Sequence, residues 1–199
     1  MSAGEEKIWE TLADADPHEV CRRTDATVDP STGSYVLKSF GSDFSVLPRE
    51  RKIISRSPAG EVFLQKPGYF FRLSVTGYLA LAKDVAPTGR LVNPVNMKSG
   101  QLFFRGSHVL PLDRVAEKYG RDREGFLKRG DALGGKRSGY GDASVELLPL
   151  PRVPVVSILW GEDDEFPARA DLLFDASCEI QMPIDVIWSV AMLSSLVML

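Results

Sequence analysis

From Val153 to Asp175 the chain reads Val-Pro-Val-Val-Ser-Ile-Leu-Trp-Gly-Glu-Asp-Asp-Glu-Phe-Pro-Ala-Arg-Ala-Asp-Leu-Leu-Phe-Asp. This stretch limits the available folds more than any other. Val155, Val156, Ile158, Leu159 and Trp160 form a short apolar run rich in β-branched residues, the pattern of a buried strand. Gly161 to Pro167 then places four carboxylates and a proline in one connection, where a strand cannot continue. Leu172, Leu173 and Phe174 resume the apolar run. Two buried strands around an acidic turn are the expected centre of the fold.

The flanking segments read as elements laid onto that hairpin. Ile8, Trp9 and Leu12 recur at helical spacing within Glu5 to Ala15, with acidic residues early, as the helix dipole prefers. Asp16-Pro17 reads as N-cap and first position of a second helix to about Arg23. A turn cluster at Asp29 to Gly33 precedes strands near 35–40 and 43–47, joined through Gly41-Ser42. Pro48 to Pro67 is irregular and locally basic, with an edge strand at Lys52 to Ser55. Gly68 to Ala86 predicts a largely buried helix, weakened at Gly77. Leu91 to Gly100 is loop or edge strand. Helices are expected over 105–119, broken near Pro111, and over 123–128. Gly130 to Asp142 holds five glycines and reads as a loop. Further strands fall near 143–148, 153–160 and 169–174, and Pro183 opens a final helix. Strands at both ends with helices between and after them favour α+β with a mainly antiparallel sheet. At 199 residues the chain suits a single domain, 1–199, with 1–33 as a helical annex.

Composition excludes several classes of function. A formal net charge of −3 argues against a general nucleic-acid binder. Cys21 and Cys178 cannot supply the four thiolates of an iron–sulfur cluster, and they read as reduced thiols of a cytosolic protein. The apolar run Val186 to Leu199 is shorter than the roughly 20 residues of a bilayer span and is expected to be a buried core helix. The polar, acidic N-terminus is no signal peptide, so the expected location is the cytoplasm. Gly130 to Lys136 fits the start of a phosphate loop, but Arg137 stands where the magnesium-binding hydroxyl belongs. His18 and Cys21 share one helix without a third ligand. His108 reads as a lone structural or exposed histidine, and no nucleophile–base pair is evident. No catalytic residue and no metal ligand set is assigned, and the chain alone is expected to bind no cofactor.

Gly134-Gly135, Gly141-Asp142, Pro149-Leu150-Pro151-Arg152-Val153-Pro154, Trp160 to Pro167 and Leu173-Phe174-Asp175 resemble an uncharacterised family. It is the domain-of-unknown-function family numbered 3786, and the likeness extends upstream through Gly100, Tyr78-Leu79 and Asp16-Pro17. The resemblance implies a setting in anaerobic bacteria and archaea. Some such domains follow a four-cysteine iron–sulfur domain of the kind found in corrinoid proteins, so an iron–sulfur or corrinoid protein is the implied partner. Where the family tends to have a histidine before Tyr-Leu, this chain has Gly77. The expected function is a non-enzymatic accessory or binding module. The alternatives are an enzyme or cofactor binder using the glycine-rich loop 134–141 and acidic turn 162–166, and a structural subunit of a larger complex.

A site follows from register. If 143–148 and 153–160 pair around Pro151, facing residues have numbers totalling about 302. Asp142 then lies beside Trp160. Lys136, Arg137 and Tyr140 are expected to meet Asp163, Asp164 and Glu165 at that end of the sheet, with Asp175 at the other. Those eight residues from Lys136 to Glu165, Asp142 and Trp160 included, form the candidate ligand- or partner-binding end. The competing reading is a charge-paired clasp, with Phe166-Pro167 plugging the turn against the core.

Overall fold

The computed structural model describes residues 3–65, 67–98, 100–103 and 109–199, the last two of the 100–103 helix as backbone only. The expected α+β class holds, but the strands divide between two antiparallel sheets. The first contains β1 (Thr27–Val28), β2 (Tyr35–Ser39), β3 (Ser42–Leu47) and β4 (Lys52–Ser55) in sequence order. The second contains β5 (Leu91–Val92), β6 (Lys136–Ser138), β7 (Ala143–Leu150), β8 (Val153–Trp160) and β9 (Arg169–Asp175), in the order β5-β9-β8-β7-β6. Arg105 and His108 lie outside the described residues.

The central hairpin has the expected register. Facing residue numbers total 302 from Ala143 opposite Leu159 to Leu147 opposite Val155. The register then shifts by one, because Leu150 faces Val153. Pro149 has no N–H to give the ladder, and a bulge is where a sheet tolerates that. The bulged carbonyls turn to the other sheet: Leu148 O accepts from Phe40 N at 2.9 Å and Pro149 O from Ser39 Oγ at 2.7 Å. One irregularity in β7 therefore joins the two sheets.

Helices α1 (Ala3–Asp14), α2 (Pro17–Thr24), α4 (Gly68–Leu81) and α9 (Ile184–Met198) pack the core, which includes Trp9, Leu12, Val20, Phe71, Tyr78 and Leu193. Asp16 caps α2 through its side chain, as its position before Pro17 suggests. Helix α4 stops at Leu81, five residues short of expectation. There the Arg23 guanidinium takes the carbonyls of Leu79, Ala80 and Ala82 at 2.6–3.1 Å, satisfying the helix end. Gly77 is a contact rather than a weak point. A Cβ there would stand 2.8 Å from Val186 Cγ2, so its absence sets the approach of α4 to α9.

Four segments depart from expectation. Pro58–Gln65 is a helix, α3, with Phe63 buried against Phe40 and Phe71. Short helices α5 (Gly100–Phe103) and α8 (Cys178–Gln181) were not expected, while α6 (Leu112–Tyr119) and α7 (Arg123–Ala132) were. The stretch read as a loop from Gly130 contains the end of α7 and the edge strand β6, whose Lys136, Arg137 and Ser138 face Glu146, Val145 and Ser144.

At the far end of the second sheet, buried Asp175 accepts from the amides of Thr88, Gly89 and Ser177 and from the Thr88 hydroxyl, at 2.6–3.1 Å. Burial alone would raise its pKa, but these donors overcome that and hold it down to about 2. It thereby ties the chain after α4 to β9.

Two outcomes follow. Leu193→Asp, at a fully buried position, is expected to cost several kcal/mol and prevent folding. Trp188→Asp, at a half-buried residue stacked edge-on to Phe70, should cost less. A soluble Leu193→Asp protein with an unchanged melting temperature would place α9 outside the core. For Asp175 the folded pKa lies below the unfolded 3.8, so its contribution is complete above that pH and fades as pH falls toward 2. Asp175→Asn should therefore lower stability by about 2 kcal/mol at neutral pH. Urea midpoints should show that gap narrowing between about pH 4 and about pH 2; a pH-independent gap contradicts the assignment.

Candidate functional site

The site forms where β8 ends and the acidic turn begins. Asp142, just before β7, donates its amide to Leu159 O and accepts from Gly161 N at 2.8 Å, so Asp142 and Trp160 are neighbours as the register requires. Arg123, from the start of α7, reaches the other Asp142 oxygen at 3.0 Å. Asp142 thus fixes both the exit of β8 and the placement of α7.

Trp160 faces Arg169 across the β8–β9 ladder. The Arg169 guanidinium lies 5.0 Å from the indole centroid, and the indole N–H donates to Asp171 at 2.9 Å. Asp171 also pairs with Arg169 Nε at 3.3 Å. The indole is held on two sides and still 39% exposed.

The turn itself is internally braced. Asp163 Oδ1 accepts from Glu165 N and Phe166 N at 2.9 and 2.7 Å, and Asp163 N donates to Phe166 O. Glu162 pairs with Arg121 and donates its amide to Gly120 O. Gly120 packs closely on Ala168, where a Cβ would stand 2.4 Å from Ala168 Cβ. Phe166 is 65% exposed, which corrects the expectation that it plugs the core. Asp142, Trp160, Gly161, Asp163 and Phe166 to Arg169 line a cleft of about 490 Å³.

Only part of the expected constellation assembles. Tyr140 sits in the turn beside Asp142, its amide bonded to Ser144 Oγ, and is 48% exposed. Lys136 and Arg137 instead run back along the sheet on β6, away from the acidic turn. Arg137 pairs with Asp131 at 2.6 Å, and their hydrogen bond lowers the Asp131 pKa and raises that of Arg137. The expected pairing of Lys136 and Arg137 with Asp163, Asp164 and Glu165 does not form, because strand pairing carries those cations inward. Asp164 and Glu165 have no ion-pair partner among the described residues.

Four of the five glycines from 130 to 141 are packed against the protein, and Gly139 is open. Gly134 and Gly41 meet backbone to backbone, and a Cβ on Gly134 would stand 3.1 Å from Gly41 Cα. Gly130 fits against Val145, where a Cβ would stand 2.5 Å from Cγ1. Close approach is used to dock the first hairpin and α7 onto β7, and a strand, not a helix, follows Lys136.

Sequence reasoning missed Arg123, Arg169, Asp171 and the exposure of Phe166. The Trp160–Arg169 pairing had a signal, since antiparallel strands around the 161–168 turn oppose those two residues. It also missed Arg152, whose guanidinium joins Asp25 at 2.5 Å and Asp84 at 2.6 Å, with its pKa raised by the Asp25 hydrogen bond. That network braces the β7–β8 turn on the opposite end of the sheet.

No three histidine, cysteine or carboxylate side chains among the described residues are grouped as metal ligands. Both cysteines are free. The buried Cys178 thiol donates to Asp175 O, and burial pushes its pKa up to about 12. Among the described residues no helix is long and apolar enough to cross a membrane.

No curated protein and no solved structure matches the chain. The model of a domain of unknown function, DUF3786, matches residues 16–196, and the chain belongs to that family.

Proposed function

We propose that this protein is a non-enzymatic accessory module that docks a partner polypeptide at the Trp160–Phe166 end of its second sheet. The observation that carries the reading is the exposure of Trp160 and Phe166 on the wall of one cleft, with exposed Tyr140 two residues before its lining Asp142, on backbone fixed by Asp142 and Asp163 and with the indole held by Asp171. Clefts of about 330 to 520 Å³ occur elsewhere on the molecule, so size does not single this one out. The two exposed aromatics that line it, Trp160 and Phe166, do, because buried aromatic anchors dominate protein–protein binding energies. Rigid backbone beneath them lowers the ordering cost of association.

A non-catalytic role accords with the thiols. Burial raises the pKa of Cys21 as well as that of Cys178, so both stay protonated near neutral pH, the reverse of an activated nucleophile. The setting is taken from the family resemblance: a cytoplasmic protein of anaerobic metabolism working beside an iron–sulfur or corrinoid partner.

Phe166→Ala and Tyr140→Ala, at exposed positions, should leave the melting temperature nearly unchanged. They should reduce partner capture from an anaerobic lysate of the source organism at least about tenfold. The captured material should contain iron or cobalt. Undiminished capture by both variants would move the docking surface elsewhere, and a partner with neither metal would remove the proposed setting.

A further inference from the structure

Resting on that docking role, we infer that the segment received at this cleft is basic, presenting arginine or lysine beside an apolar side chain. The molecule contains one instance of the recognition it would use. Arg169 lies over the Trp160 ring while Asp171 takes both the indole N–H and the guanidinium. An aromatic face beside a carboxylate holds a guanidinium by cation–π attraction and charge together.

The same two ingredients recur in the turn without a cation. Three carboxylates at this end have partners: Asp142 with Arg123, Glu162 with Arg121, and Asp171 with Arg169. Asp163 is occupied by turn amides. Asp164 and Glu165 are exposed, have no ion-pair partner among the described residues, and directly precede the exposed Phe166 ring. Phe166, Pro167 and Ala168 give the adjoining cleft wall its apolar character. A segment with a cation flanked by an apolar residue satisfies both, whereas an acidic segment meets like charge. Electrostatic complementarity of this kind acts on specificity and association rate, and is screened by salt.

The test titrates isotope-labelled full-length protein with the blocked peptide Leu-Arg-Leu-Arg-Leu and its Gln and Glu counterparts, followed by amide shifts. The Arg peptide should shift amides of residues 160–169. The Gln peptide should bind at least about fivefold more weakly and the Glu peptide not at all. Raising salt from about 50 to about 300 mM should weaken the Arg peptide by about fivefold. The exposed double variant Asp164→Lys, Glu165→Lys should lose the Arg peptide with its melting temperature unchanged. Equal binding of the Gln peptide, binding retained by the double variant, or no shift at 160–169 each overturns the basic preference. Loss of partner capture in Phe166→Ala alongside any of these would leave the docking role standing; retained capture would remove both.

Discussion

The joint at Leu148 and Pro149 is the constraint on which the two-sheet arrangement depends. A ladder residue gives its carbonyl to the neighbouring strand; a bulged one has it free. Here two successive carbonyls are freed because proline cannot complete the ladder. Ser39 and Phe40, at the end of β2, supply the donors. The contact of Gly41 with Gly134 follows from it, since the hairpin turn after Phe40 then lands on the segment leaving α7. A side chain at Gly134 would press on the Gly41 backbone near the point where those hydrogen bonds form, and both glycines hold a positive φ that a side chain would strain. The glycine-rich stretch is thus a consequence of sheet docking, which weakens any argument that it awaits a ligand.

Buried or half-buried charges act mainly as ties at segment ends. Arg23 closes the end of α4, Arg152 binds the β7–β8 turn to Asp25 and Asp84, and Asp175 fastens the chain after α4 to β9. Arg23 and Asp175 meet backbone groups that would otherwise lack partners, and the partly buried Arg152 pairs with more exposed carboxylates. Apart from Arg72–Glu5, whose carboxylate is buried, the remaining ion pairs are largely exposed, and pairs of that kind contribute about 0–1 kcal/mol each. Apart from Asp175, ionic ties therefore fix geometry more than they stabilise, and most of the stability comes from the apolar core of α1, α4, α9 and the sheets.

The central hairpin was legible in the sequence because its apolar run and its proline turn specify register together; a slip of one would turn Val155 and Leu159 to the wrong face. Its arithmetic placed Asp142 beside Trp160. The division into two sheets was not legible, since a strand pattern does not say which partner it meets. Helix α3 was hidden by Pro58 and Gly60; the glycine is there because a Cβ would stand 2.2 Å from Ser55 Oγ. β6 is three residues between glycines and owes its conformation to β7 rather than to its own propensity. Arg123 had no local signal at all, because α7 reaches Asp142 only through the tertiary packing of Gly130 on Val145.

The placement of the cleft follows from the same economy of backbone. The connection from β8 to β9 reverses direction at the sheet end in eight residues, 161–168, and Asp163 folds them onto themselves. Gly120 and Ala168 are in close contact beside that turn, and the ring at position 166 stands outward. Exposing Phe166 forfeits burial worth about 1.5–3 kcal/mol for a side chain of that size. A turn with the same Asp163 brace and a polar residue at 166 would avoid that loss, so folding of this chain gives no account of the phenylalanine. The same reasoning applies to Trp160, held in a half-exposed position by Arg169 and Asp171 rather than folded under them. On the proposed docking role, association supplies the missing term: both rings recover their burial when a partner covers the cleft.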